Sequence, residues 1–435
     1  MNTTPNDLRP IVPNPASERD AQNFVGRQAE SERALSMLTS KRNILLNDPR
    51  RMGKTFWLVA FAEQLAQANQ FRVVRIDYQG VETTKEFLLR TVYYLRAASH
   101  LPKRYLSYLK GLFDNIDDDD SATPITLKRT LDAIEPLPIF EQLLTQLSRE
   151  ADRTNETPIV MILDEFTDAL LNITRSGRAH ESRNILQRLR YLRHHTPGLR
   201  WILAGSVGFH HCWTACGAGE DVSDNLDPLL FGPLAAADAA LLTRCLALGI
   251  GRPIYDSAIE EMVKLSGGMP WLIQKISDLL RFEGYEAKLG RDITAQEVRD
   301  RYDAFIADDD QSHDVTHVVQ RITQFYSADE ADLAFAMLDW AAEDPPQWRN
   351  LADMPAEMRL ADQFVPVFQN LIHDHYLLVN HSSTEARWRY DFLCAIYLRR
   401  RLLLKSDVIA VPPMSKGNRL LTRTRTAFAF RSKGQ

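Results

Sequence analysis

Between the apolar tetrapeptide Asn43–Leu46 and a largely apolar helical stretch from Phe56, the chain places Asp48, Pro49, Arg50, Arg51, Met52, Gly53, Lys54 and Thr55. This octet follows the phosphate-loop pattern G-x-x-x-x-G-K-[ST] at every fixed position except the first, where Asp48 stands. The residue types answer physical demands. A helix N-terminus offers free N–H groups and the positive end of its dipole to an anion. Gly53 lets the backbone approach closely, Lys54 reaches terminal phosphates, and Thr55 supplies a hydroxyl to Mg2+. The expected phosphate-binding stretch therefore runs over Pro49, Arg50, Arg51, Met52, Gly53, Lys54, Thr55 and Phe56. Asp48 would put a carboxylate beside a polyanion, so it is expected to turn away, paired with Arg50 or Arg51.

A second element completes the chemistry. Ile159–Leu163 is the most continuous apolar run and leads straight into Asp164 and Glu165. An apolar strand ending in two acids sets them at the carboxyl edge of a sheet, beside the phosphate loop if the strands are near neighbours. There Asp164 would hold Mg2+ through water, and Glu165 would orient and deprotonate an attacking water. Lys54 and Glu165 are the catalytic candidates, and Thr55 and Asp164 the Mg2+ candidates. Trp201–Ala204 ends in Gly205 and Ser206, where a polar group could face the γ-phosphate. A Gly-Ser turn is also an ordinary way for a strand to end, and the residues leave both readings open.

Positioning such groups takes a parallel α/β core, and the pattern supplies one. From about Asn23 to Leu234, short apolar runs (Asn43–Leu46, Phe71–Tyr78, Ile159–Leu163, Trp201–Ala204) alternate with longer helical stretches, as βα units do. Runs apolar on both faces suit central parallel strands. The segment His100–Pro138, with Asp114 and Asp117–Asp120, reads as an insertion carrying a solvated acidic loop; the Gly and ligand spacing of a calcium loop are missing. At 435 residues and about 150 per domain, roughly three units are expected. The boundaries are a flexible arm at 1–20, a core at 21–235 with the insertion at 100–138, a helical lid at 236–308, a C-terminal unit at 315–405 and a basic tail at 406–435. The C-terminal unit has two helices, then strand, turn and strand, which is the outline of a winged helix. The balance of 52 Lys and Arg against 57 Asp and Glu, a net −5, gives no global field for nucleic acid or membrane. Four cysteines are too few for a disulfide framework. No secretory signal or membrane-spanning run is visible, so a cytoplasmic location is expected.

Taken in order, Phe24, Val25, Gly26 and Arg27 with Glu30, the loop ending in Gly53-Lys54-Thr55, Leu163–Phe166, Ala204–Ser206 and Gly268–Pro270 resemble the STAND-like, archaeal-type ATPases of the AAA+ superfamily. The resemblance spans about residues 23–285. It implies a five-stranded parallel core, ATP as the nucleotide and a helical lid. It further implies that Val25, Gly26 and Arg27 lie by the adenine and that Pro270 starts a lid helix near the nucleotide. The implied activity is an ATPase switch that couples Mg-ATP to domain rearrangement or oligomerisation, in defence or stress signalling. The competing reading is a DNA-associated or scaffold protein regulated by bound ATP. Homo-oligomer and partner-protein contacts are both open.

Other signals carry less. Arg178, Arg183, Arg188, Arg190 and Arg193 lie on a helix whose apolar face is Ile185, Leu186, Leu189 and Leu192, so they are expected to point outward as a solvated basic face or as a source of an arginine finger; Arg200 is an equal candidate. His210, His211, Cys212 and Cys216 suggest a metal, but they form one short arm where zinc needs recurring ligand spacings. His373 and His375 sit at a helix end, where the dipole explains them. Arg387, Arg389, Arg399–Arg401 and the tail could track DNA phosphates.

Overall fold

The computed structural model describes residues 7–14, 21–112, 135–153, 157–282, 291–307, 321–343, 345–380 and 382–408. Its centre is a five-stranded sheet of β1 (Asn43–Leu46), β2 (Arg72–Asp77), β3 (Ile159–Asp164), β4 (Leu199–Ala204) and β5 (Leu226–Pro228), in the order β2-β3-β4-β1-β5 with every neighbouring pair parallel. Each residue of β3 and β4 is buried, because helices cover both faces. The side-chain period of two sorts them: Val160 and Ile162 join the apolar layer of Trp57 and Phe61, while Met161 and Leu163 join that of Phe87 and Phe140. The strand bearing Asp164 is not next to the strand that feeds the phosphate loop; β4 lies between them. β5, three residues ending in Pro228 at the sheet edge, is too short and too exposed to stand out in the sequence.

Helices Ala236–Gly249, Asp256–Ser266, Pro270–Phe282 and Ala295–Ala307 follow the sheet. Beyond them come helix Ala328–Ala341, opened by a capping box of Ser327 and Glu330, helix Phe364–His373 and helix Asp391–Val408. With them stands an antiparallel sheet of β6 (Arg349–Asn350), β7 (Leu377–Asn380) and β8 (Glu385–Trp388) in the order β6-β8-β7. Trp388, wholly buried, donates its indole N–H to Leu338 O and ties this sheet to its helix. One continuous apolar cluster runs from Trp57 under the main sheet through Leu272 and Ile276 to Trp388.

Ile11 is 4% exposed and its N–H donates to Cys245 O, so this part of the N-terminal arm is packed on the helical unit rather than loose. The acidic residues Asp114 and Asp117–Asp120, most of the stretch before Arg321, and the tail with Lys416, Arg419, Arg423, Arg425, Arg431 and Lys433 lie outside the described residues. No helix among the described residues is long and apolar enough to cross a membrane.

Candidate functional site

The phosphate loop leaves β1 and enters helix Lys54–Gln67 through two left-handed residues, Arg51 (φ 70°) and Gly53 (φ 85°). Gly53 is needed for its backbone rather than for room, since a Cβ there would meet nothing nearer than Pro270 Cγ at 3.8 Å. Lys54 is buried at the helix start, where its ammonium donates to the carbonyls of Asp48 and, at 2.8 Å, Pro49. Burial lowers its pKa to about 8, against the raising effect of Asp48, Glu165 and Asp164. Asp48 does turn away, but not toward Arg50 or Arg51. Its carboxylate, 4% exposed, accepts the backbone N–H groups of Phe231 (3.0 Å) and Gly232 (3.3 Å) just beyond β5. Arg50 instead donates to Ser206 Oγ at 2.9 Å and pairs with Asp168 at 3.0 Å. Arg51 stacks its guanidinium 3.9 Å above the Trp271 ring.

Asp164 is the last residue of β3, and Glu165 follows it at the N-cap of the next helix. Asp164, 2% exposed, accepts the Glu165 N–H at 3.1 Å and faces Arg75 at 3.4 Å. Glu165 takes a left-handed backbone (φ 52°) that turns it into the helix Phe166–Ile173. Burial, then its hydrogen bond with Asp168 and the charges of Asp168 and Asp164, raises its pKa to about 8. Asp168, one turn into that helix, escaped the sequence reading although its i+3 spacing from Glu165 was visible. Burial works to raise its pKa, but hydrogen bonds from Glu165 and Ser206 and the charge of Arg50 hold it below the usual carboxylate range. Ser206 Oγ donates to it at 2.7 Å. Ser206 therefore faces the loop through Arg50 and Asp168. Gly205 beside it is obligatory, as a Cβ would fall 1.8 Å from Thr167 Oγ1.

The segment before the core braces the loop from another side. Gly26 has φ 77°, and a Cβ there would collide with the Asp238 carboxylate, which accepts the Arg27 N–H at 3.1 Å. The buried Arg27 guanidinium donates to Met52 O (2.9 Å), Gly232 O (2.6 Å) and Phe231 O, and lies 4.0 Å above the Phe231 ring. It also donates to the Glu30 carboxylate at 2.7 Å, so the structure makes it a tie between the phosphate loop, the exit of β5 and its own helix. Val25 and Met52 are buried, and Phe56 meets Phe24 edge-on at 5.3 Å. Pro270 and Trp271 open the helix Pro270–Phe282 against Gly53 and Arg51.

A third side comes from the C-terminal unit, which the sequence did not place here. His375, in a left-handed turn (φ 63°), donates Nε2–H to Asn47 O at 2.9 Å, one residue ahead of the loop. A cleft enclosing about 620 Å³, its open mouth included, is lined by Pro49, Arg50 and Met52 on one wall and by Trp271, Arg321 and Tyr376 opposite. The charge of Arg321, unremarked in the sequence, reaches both Lys54 and Asp168.

Several remaining candidates lie elsewhere. Arg193 does not point outward; it is buried and donates to Val222 O and Asp224 O. Arg188 and Arg190 pair with Glu141, Asp221 and Asp224. Arg200 bonds Pro197 O and Leu199 O at the start of β4, the far end from the loop. Arg387 and Arg399 pair with Asp391 and Asp303. The Cys212 thiol faces Thr167 O, and burial pushes its pKa up, which removes it as a nucleophile.

Structural comparison agrees with this layout. The chain matches the Walker-type ATPase PABY2304 of Pyrococcus abyssi with a TM-score of 0.54 at 14% identity, over 90% of this chain and 99% of that one. It also matches the ORC2 protein of Aeropyrum pernix (TM-score 0.46, 13% identity, 93% of this chain and 98% of that one) and Cdc6p from Pyrobaculum aerophilum (TM-score 0.38, 13% identity, 87% and 94%). No family model and no curated protein sequence matches. At such identities the likeness is one of fold, a P-loop nucleoside-triphosphatase core with a five-stranded parallel sheet covered by helices, shared with that Walker-type ATPase.

Proposed function

We propose that this chain is an ATP-binding and ATP-hydrolysing switch of the AAA+/STAND type, acting in the cytoplasm. In this reading Mg-ATP occupancy sets how a lid (236–308) and a winged-helix-like unit (315–405) sit on the core (21–235). Oligomerisation, in defence or stress signalling, would be its output. One observation carries the reading: a buried lysine at a helix N-terminus, a pair of acids at a strand end, and Trp271 and His375 from two further units all meet at one loop. The donor set fits the nucleotide. The left-handed turns at Arg51 and Gly53 bring backbone N–H groups to the helix start, and Lys54 would exchange its two carbonyl partners for phosphate oxygens.

Thr55 and Asp164 would hold Mg2+, which when bound neutralises charge on the terminal phosphates. In its ionised form Glu165 would take a proton from water, and burial together with Asp168 raises its affinity for that proton. Asp168 and Ser206 position it and Arg50. Val25, Gly26 and Pro270 would border the base. Duplex contact is the weaker reading of the C-terminal unit, because Arg387 and Arg399 already hold carboxylates.

The test is a matched pair of variants. Lys54→Ala should lose ATP binding by calorimetry. Glu165→Gln should keep binding and lose hydrolysis by the usual 100-fold or more, as roughly 10²–10⁴ is typical of a general base. Turnover unchanged in Glu165→Gln would overturn the assignment. Light scattering with ATP against ADP decides whether occupancy changes the assembly.

A further inference from the structure

Beside the phosphate loop, two adjacent histidines of helix Phe209–Cys216 face a carboxylate of the C-terminal unit. His211 Nε2 lies 2.8 Å from Asp374 Oδ2, and His210 Nε2 lies 3.6 Å from Asp374 Oδ1. The three ligand atoms all fall within 4.8 Å of one another. His210 is 7% exposed, and its Nε2 has no hydrogen-bond partner, although it is aimed at the carboxylate. A buried ring nitrogen left unbonded forfeits a hydrogen bond, and here it does so beside two other donors of electron pairs. Asp374 is held in place by the Tyr326 hydroxyl, which donates to Oδ2 at 2.7 Å, as an outer-shell group orients a ligating carboxylate.

We propose that His210, His211 and Asp374 form a binding site for a zinc-like divalent transition-metal ion, which ties the C-terminal unit to the α/β core. Two imidazoles and one carboxylate, with a fourth position for water, is a zinc donor set, whereas Mg2+ takes oxygen ligands. Ligands about 2.0–2.1 Å from a tetrahedral zinc stand roughly 3.3 Å apart, so side-chain shifts on the order of 1 Å close the site. The sequence showed only the arm at 210–216. The second arm comes from a residue 163 positions on from His211, and the cysteines of the first arm take no part, since Cys212 and Cys216 bond the carbonyls of Thr167 and Trp213. Asp374 precedes His375, the residue that bonds Asn47 O, so an ion here would fasten the C-terminal unit beside the phosphate loop.

The full chain, stripped with a chelator and free of nucleotide, is titrated with Zn2+ by calorimetry and with Co2+ by visible absorption. The expected result is one equivalent bound, a tetrahedral cobalt spectrum without thiolate charge transfer, a raised melting temperature, and no competition from Mg2+. His210→Gln removes no hydrogen bond but loses ring contacts with His211 and His373, so its fold is checked by circular dichroism before titration. It should weaken zinc binding at least about 100-fold, beyond the roughly 10–100-fold that loss of an outer-shell partner costs. Tyr326→Phe should fall within that smaller range, and Cys212→Ser should leave affinity unchanged. Absence of a stoichiometric site overturns the proposal, as does binding undiminished in a folded His210→Gln or lost in Cys212→Ser.

Discussion

Replacing Asp48 with glycine would restore the standard first residue of the phosphate loop, yet on the geometry found here it should damage the protein. The Asp48 carboxylate accepts two buried N–H groups, those of Phe231 and Gly232. Each orphaned donor costs about 1–3 kcal/mol, so removing the carboxylate should cost roughly 2–6 kcal/mol before relaxation. Glycine adds up to about 1 kcal/mol of chain entropy. For a cooperative unit of the core's size, at about 2–4 °C per kcal/mol, the melting temperature should fall by roughly 4–28 °C. Asp48→Asn, whose amide keeps one acceptor oxygen, should lose about half as much. Thermal melts and urea titrations of Asp48→Gly, Asp48→Asn and Asp48→Ala give the ranking, and calorimetry with ATP gives the second axis. The reasoning is refuted if Asp48→Gly melts with the wild type and binds ATP more tightly, because the carboxylate would then be facing the phosphates rather than the exit of β5.

Three further outcomes follow from other contacts. Gly26→Ala must hold an L-residue at φ 77° with its Cβ 2.5 Å from the Asp238 carboxyl carbon. It should lose at least about 1–2 kcal/mol in a urea melt. Asp168→Asn removes the charge that pairs with Arg50 and one of the two acceptor oxygens shared by Arg50 and Ser206; it should cost about 1–3 kcal/mol, and a double-mutant cycle with Ser206→Ala should show coupling of roughly 0.5–3 kcal/mol. Tyr78 is wholly buried, stacked on Phe87 at 4.2 Å and bonded to Thr91 Oγ1 at 2.8 Å, and burial raises its pKa from 10.0. A raised phenol pKa contributes stability that is complete below pH 10 and is lost as the pH climbs toward the folded value. Tyr78→Phe should lose about 1 kcal/mol at neutral pH and then fall less steeply than wild type above pH 10.

The parts of the site legible in the sequence are those where a backbone demand and a side-chain role fall within a few residues. Gly26 beside Arg27, Gly53 beside Lys54 and Gly205 beside Ser206 each join a fixed conformation or a close contact to a polar group, and such pairs survive as short motifs. β3 was legible because burial on both faces leaves no alternation to misread, while β5 and β6, at three and two residues, fall below any periodic window. Apart from Asp168, three residues on from Glu165, the contacts that were not legible are long-range. Asp48 was expected to find an arginine nearby in sequence and instead bonds residues 183 and 184 positions on. His375, explained locally as a helix end, reaches Asn47 across 328 positions. These distant ties share one target. Arg27 holds Met52 O, Trp271 underlies Arg51, Asp48 is fixed to the exit of β5, and His375 holds the residue before it. A phosphate drawing Lys54 away from the carbonyls of Asp48 and Pro49 would pull on every one of them at once. The departure at Asp48 then has a physical meaning: the loop exchanges the freedom of a glycine for a fixed connection to the exit of the neighbouring strand, which the proposed switch would use.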